Sequence, residues 1–210
     1  MRRLVLTTLA IMVFSSRPAD SHQLDEYLQA ARIAAAADRV SVEMSLTPGV
    51  AVAQRVFALI DSDGDGRASS AEIDSYALRI MKDVALSVDG QPVQMTIARA
   101  ECPRWERIRE GTGTIRIEAV AKTRAMSAGR HQLRLLNAHE PAFSVYLVNA
   151  LVPSDPAITI TAQRRDALQH SIELDIDVAG WYATTLWGLL IFGAFAALTT
   201  HRVSRGDSPS

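Results

Sequence analysis

The chain has 210 residues, a formal net charge of −1, 48% hydrophobic residues and a single cysteine. One cysteine excludes an intrachain disulfide framework, and no basic excess points to nucleic acid. Setting aside the charged residues of the two ends (Arg2, Arg3, Arg17, Asp20, Arg202, Arg205 and Asp207) leaves the body, His22–Gly180, acidic by about four charges and long enough to bury a core of its own.

The chain opens with Arg2-Arg3, an apolar run from Leu4 to Phe14, and small residues at Ala19 and Ser21. That order predicts a secretory signal over 1–21, cut after Ser21. The next stretch, "YLQAARIAA", pairs in this reading with "RVSVEMSLTPG" across Ala37-Asp38-Arg39. In the latter, Val40, Val42, Met44 and Leu46 alternate with polar residues, as a half-buried strand requires. "DVALSVDGQPVQMTIARAE" reads as a second hairpin turning at Asp89-Gly90. "GTIRIEAVAKT", "GRHQLRLLN", "FSVYLVNALV", "AITITAQ" and "HSIELDIDV" complete about eight mostly antiparallel strands. The expected fold is mainly β (α+β), an antiparallel β-sandwich over 22–180. Cys102-Pro103-Arg104-Trp105, with Glu106 and Arg107, reads as a loop with surface charges, a partner-binding patch being the alternative. Trp181–Thr200 holds no charged residue. At 1.5 Å per residue it reaches about 30 Å, the thickness of a bilayer core. Trp181, Tyr182 and Trp187 fit an aromatic belt, and Arg202 and Arg205 fit the cytoplasmic side. The expectation is a single-pass type I protein of the inner membrane. Its main domain is periplasmic or extracellular, 181–200 is the transmembrane helix and 201–210 is a cytoplasmic tail.

One interval breaks the β pattern. Val52, Val56, Leu59 and Ile60 precede "DSDGDGRASSAE", and Ile73, Tyr76, Ala77, Ile80 and Met81 follow it, both sets at helical spacing. Four carboxylates in twelve residues repel one another unless a cation or solvent neutralises them. Counted from Asp61, positions 1, 3, 5, 6, 7, 9 and 12 are Asp61, Asp63, Asp65, Gly66, Arg67, Ser69 and Glu72. This resembles the EF-hand family at every liganding position. The resemblance implies a Ca2+ site within a helix–loop–helix at 52–85. Asp61, Asp63 and Asp65 would give side-chain oxygens and Arg67 its carbonyl. Ser69 would bind directly or through water, and Glu72 would give two oxygens. Ser69-x-x-Glu72 also fits a helix-capping box. Position 8 is Ala68 and no second loop follows, so the hand is expected to be solitary or paired between molecules, and weak.

"SHQLDEYLQAARI", "VSVEMSLTPGVAV" and "YLVNALVPSDPAITITAQRRDALQHSIELDI" resemble the extracytoplasmic β-domain of HupE/UreJ-type and nickel/cobalt permease-like bacterial membrane proteins. That resemblance implies an ectodomain partnering a membrane complex. With one spanning segment the chain has no transport pathway of its own, and no metal-transport residue carries over. His22 at a mature N-terminus could offer nickel or copper an amine and an imidazole. His131, His139 and His170 lack metal-ligand spacing and read as surface or structural. Ser144, Ser171 and Cys102 lie in no nucleophile motif, so no enzyme is expected. The leading function is a calcium-binding scaffold or binding module. The alternatives are an accessory subunit for nickel, cobalt or copper handling, and a hydrolase with structural calcium.

Overall fold

The computed structural model describes residues 25–124 and 126–180. The expected signal, His22, the spanning segment and the tail lie outside the described residues. Within them, no helix is long and apolar enough to cross a membrane.

β1 (Tyr27–Ala36) and β2 (Arg39–Pro48) form the expected hairpin, with Ala31 opposite Met44 and Ile33 opposite Val42. Alternation decides the face. Ala31, Ile33 and Ala35, and across from them Val40, Val42, Met44 and Leu46, are buried, while the residues between them are not. β3 (Val84–Val88) turns at Asp89-Gly90 into β4 (Gln91–Val93), where Asp89 (φ 51°) and Gly90 (φ 77°) both take the left-handed conformations of a tight hairpin.

Ten strands form among the described residues, against the expected eight or so; each strand segment named above forms, and the returning arm of this hairpin splits into two. Pro92 has no N–H to give a ladder, and β4 stays a three-residue edge strand. The chain then crosses to the other sheet as β5 (Thr96–Glu101). β6 (Ile115–Lys122), β7 (Gly129–Asn137), β8 (Ser144–Ala150), β9 (Ile158–Arg165) and β10 (Ser171–Val178) follow. One sheet runs β5-β6-β2-β1-β8 and the other β4-β3-β7-β10-β9. All pairings are antiparallel except β1 with β8.

A single core joins the inner faces, with Ile33, Met44, Leu46 and Ile117 from one sheet and Leu133, Leu135, Leu174 and Ile176 from the other. Each such side chain contributes about 1.5–3 kcal/mol by leaving water. The result is a β-sandwich-like, β-rich fold with a few helices at one end.

The two ends differ. At one lie the Ala37-Asp38 turn, Thr123-Arg124, Met126–Ala128, the 151–157 loop and Ala179, tied together by Met126 N–H to Ala37 O (2.8 Å) and Ala179 N–H to Ala157 O (2.8 Å). At the other lie α1 (Val50–Ile60), α2 (Ser70–Lys82) and α3 (Trp105–Arg109). Strands of eight to ten residues separate the ends by about 30 Å.

α3 corrects the loop expected after Cys102. Ile108 is fully buried against Ala53 and Phe57, and the Trp105 ring lies 4.4 Å from that of Phe57. Trp105 therefore braces α1 rather than forming a free partner patch. Gly113 permits this close approach, since a Cβ there would meet Ile108 N at 2.8 Å and the Arg107 carbonyl carbon at 2.9 Å. Both are main-chain atoms that cannot step aside. Gly113→Ala is therefore expected to destabilise the protein by about 1–3 kcal/mol, read as a lower denaturant midpoint. An unchanged midpoint would show that the α3 turn yields freely.

Candidate metal centre

The acidic segment bridges α1 and α2. Burial of Ala53, Val56, Phe57 and Ile60 sets the inner face of α1, and Tyr76, Ala77 and Ile80 set that of α2. Leu59 is only half-buried, and Phe57 takes the place expected for it. α2 ends at Lys82 and β3 begins at Val84, so the unit closes short of the expected boundary at 85.

Asp61 terminates α1, its N–H donating to Phe57 O. Its carboxylate then turns back over the loop, accepting from Asp65 N–H (3.1 Å) and Gly66 N–H (3.0 Å). Asp63 accepts from Asp65 N–H (3.1 Å) and Asp65 from Arg67 N–H (2.8 Å). Gly66, at φ 81°, makes the bend where a side chain would be strained. As a result one carboxylate oxygen from each of Asp61, Asp63 and Asp65 comes within 4.8 Å of the other two. Among the described residues this is the one such convergence of His, Cys, Asp or Glu ligand atoms.

Glu72, the remaining predicted carboxylate, is not part of this convergence. Arg67 is exposed. Ser69 caps α2, and Glu72 completes a capping box. Glu72 Oε2 accepts from Ser69 N–H (3.0 Å) and the Ser69 hydroxyl (2.7 Å). Its Oε1 reaches over the start of the loop to accept from Ser62 N–H (2.7 Å), the Ser62 hydroxyl (3.0 Å) and Asp63 N–H (3.3 Å). Position 12 thus ties both ends of the loop together.

The Ser69 backbone N–H and hydroxyl, followed by those of Ser62, lower the Glu72 carboxyl from 4.5 to about 2. A lowered folded-state value means stability that is complete above the unfolded value and lost as pH falls through the folded one. In calcium-free buffer, the gap in melting temperature between wild type and Glu72→Gln is therefore expected to be constant above pH 4.5. It should close as the pH approaches 2. A gap independent of pH would show that the ionised carboxylate is not what holds the loop.

No family model, curated protein or solved structure matches this chain. The site is therefore read from its own atoms.

A buried polar hub anchors α2 to the sandwich. Tyr76 and Tyr27 share a 2.9 Å hydrogen bond between hydroxyls, and burial raises the pKa of both phenols. Tyr76 OH also lies 3.4 Å from His139 Nε2, and His139 Nδ1 lies 2.7 Å from the carboxylate of Asp83, which ends α2. The His139 carbonyl accepts from Gln29 Nε2 (2.9 Å) and Tyr146 OH (2.8 Å). Next to it, Glu140 meets Arg79 of α2 at 2.9 Å and Arg55 of α1 at 3.9 Å, and Arg55 lies over the Phe143 ring. The 138–143 loop therefore grips both helices. Spacing alone gave His139 no such place, because an isolated histidine carries no periodic signal.

The other singled-out residues fall elsewhere. His131 pairs with Asp89 on the surface, each shifting the other toward its charged form. His170 and Ser171 both adjoin Asp166, but the Ser171 hydroxyl donates to that carboxylate (3.0 Å) rather than to an imidazole, which is not how a nucleophile is activated. Burial raises the Cys102 thiol to about 11, which leaves it unreactive.

Proposed function

We propose that the Asp61–Glu72 loop binds one calcium ion, and that the protein is a membrane-anchored, extracytoplasmic binding or scaffold module stabilised by that ion. One observation carries the reading: the three aspartates at loop positions 1, 3 and 5 converge their oxygens in a turn bent at Gly66, between two helices. The donors are hard oxygens, which suit calcium and do not favour nickel or copper. Asp61, Asp63 and Asp65 would hold the ion. Glu72 stands beside the loop as the further donor, at the expense of its hydrogen bonds to Ser62 and Asp63. Both helices are gripped by the sandwich, which favours a structural clip over a sensor that must swing its helices apart. The anchor rests on the uncharged run Trp181–Thr200 and the arginines after it. The protein partner in a membrane complex rests on the likeness to permease ectodomains. Equilibrium dialysis against calcium tests the site. One ion per chain, with little competition from magnesium, is expected. No uptake at about 10 mM, well beyond the range of extracellular calcium modules, overturns the reading.

A further inference from the structure

We propose that the end of the sandwich opposite the acidic loop rests on an anionic lipid surface, with Val152 at the point of contact. This rests on reading 181–200 as a membrane anchor, and adds to it a contact made by the folded domain itself. Val152 is 91% exposed, the highest value among the exposed large apolar side chains of the described residues. It does not stand out because its loop is slack. Leu151 N–H bonds Ile33 O (2.8 Å), and Ile158 N–H bonds Asp155 O (3.0 Å). The Asp155 carboxylate accepts from Ala37 N–H (2.9 Å) and Ala157 N–H (3.0 Å). Both flanks of Val152-Pro153 are fixed, and the apolar tip between them is left in water. Such a tip suits an interface with lipid acyl chains. Behind it opens a groove of about 570 Å³ whose lining includes Leu151, Ile158 and Ile160.

Position along the chain supplies the occupant. Ala179 N–H bonds Ala157 O in this same loop, and only Gly180 separates Ala179 from the uncharged run that starts at Trp181. One residue spans at most about 3.6 Å. If that run enters a bilayer, the 151–157 loop lies at headgroup level.

Charge fits as well. Asp38 pairs with Arg39 (3.2 Å), Asp155 is occupied by amides, and Asp177 sits opposite Arg130 in register. Lys122 and Arg124 are exposed and form no ion pair among the described residues; with Asp155 held ionised by its amides, Arg39, Lys122, Arg124 and Arg130 exceed Asp38, Asp155 and Asp177 by one positive charge. Basic residues beside a spanning segment are drawn to anionic headgroups.

The test uses the full chain in vesicles of phosphatidylcholine and phosphatidylglycerol. In a Cys102→Ser background, an environment-sensitive fluorophore is placed at Val152→Cys or at Leu168→Cys. Leu168 is 69% exposed in the β9–β10 turn, at the opposite end. Substitution at either exposed site leaves the core intact. Flotation establishes whether the protein is membrane-bound, and lipids brominated near the headgroup then report depth. The expected result is flotation, with the 152 label blue-shifted and quenched severalfold more than the 168 label. Flotation with a water-like label at 152 overturns the contact and leaves the anchor standing. Failure to float overturns the anchor, and the contact with it.

Discussion

Asp61→Ala is expected to abolish the rise in melting temperature that calcium gives the wild-type protein. A ligand at ten times its dissociation constant stabilises the folded state by about 1.4 kcal/mol. For a domain of this size that is roughly 3–6 °C. Asp61 is the most demanding position to lose, because its two oxygens organise the loop through Asp65 and Gly66 while also facing the convergence point. The variant also gives up those two loop bonds without calcium, so the decisive quantity is the calcium response rather than the starting stability. Arg67→Ala is the internal control. Position 7 would offer only a carbonyl, so its calcium response should match wild type. Equal calcium responses in wild type and Asp61→Ala would remove the loop from consideration as a site.

His139→Ala is expected to cost about 3 kcal/mol, within the range for emptying a fully buried site, and to lower the melting temperature by roughly 6–12 °C. The ring is 0% exposed, and its removal does more than open a cavity. Asp83 loses its partner at the end of α2, and Tyr76 loses one of its two hydroxyl contacts. Tyr76→Phe tests the same hub more gently. It keeps the volume but leaves Tyr27 OH unpaired in the core, at about 1–3 kcal/mol. If the hub acts as a unit, the double variant should be less destabilised than the two single changes added together. Strict additivity, or a loss of less than about 2 °C in His139→Ala, would mean that packing alone holds α2 against the sheet.

Much of this architecture is legible in the residues. Alternation at Val40, Val42, Met44 and Leu46 gives both the strand and its buried face. Asp89-Gly90 marks its hairpin, because few other pairs tolerate two left-handed conformations in succession. The helix–loop–helix follows from 3.6-residue spacing on either side of an acidic turn. What spacing cannot carry is the choice of sheet. β4 and β5 come from one continuous arm, yet they lie in different sheets, and only Pro92 hints that the hairpin ends early. The parallel pairing of β1 with β8 has no local signature either, since nothing near Tyr27 refers to Ser144. α3 is five residues long, too short for a periodic signal, so its Trp105 resembled a surface residue until Phe57 lay beneath it. The double meaning of Ser69 and Glu72 was visible in the sequence. The atoms show capping and loop closure combined in one carboxylate.

The position of β8 carries a consequence for how the chain reaches this state. β1 is the first strand made, and β2 can join it at once. Its other edge waits for a strand near the far end of the domain, and the buried Gln29–Asn137 hydrogen bond beside it closes a span of 108 residues. Long-range closure of this kind slows folding, because chain entropy is lost before the new contacts repay it. A chain emerging N-terminus first would hold the β1–β2 ribbon with both edges bare until β6 covers β2, and with the β1 edge bare until β8 arrives. Bare edges recruit other strands. The arrangement places the greatest aggregation risk in the interval before β8 is available to cover that edge.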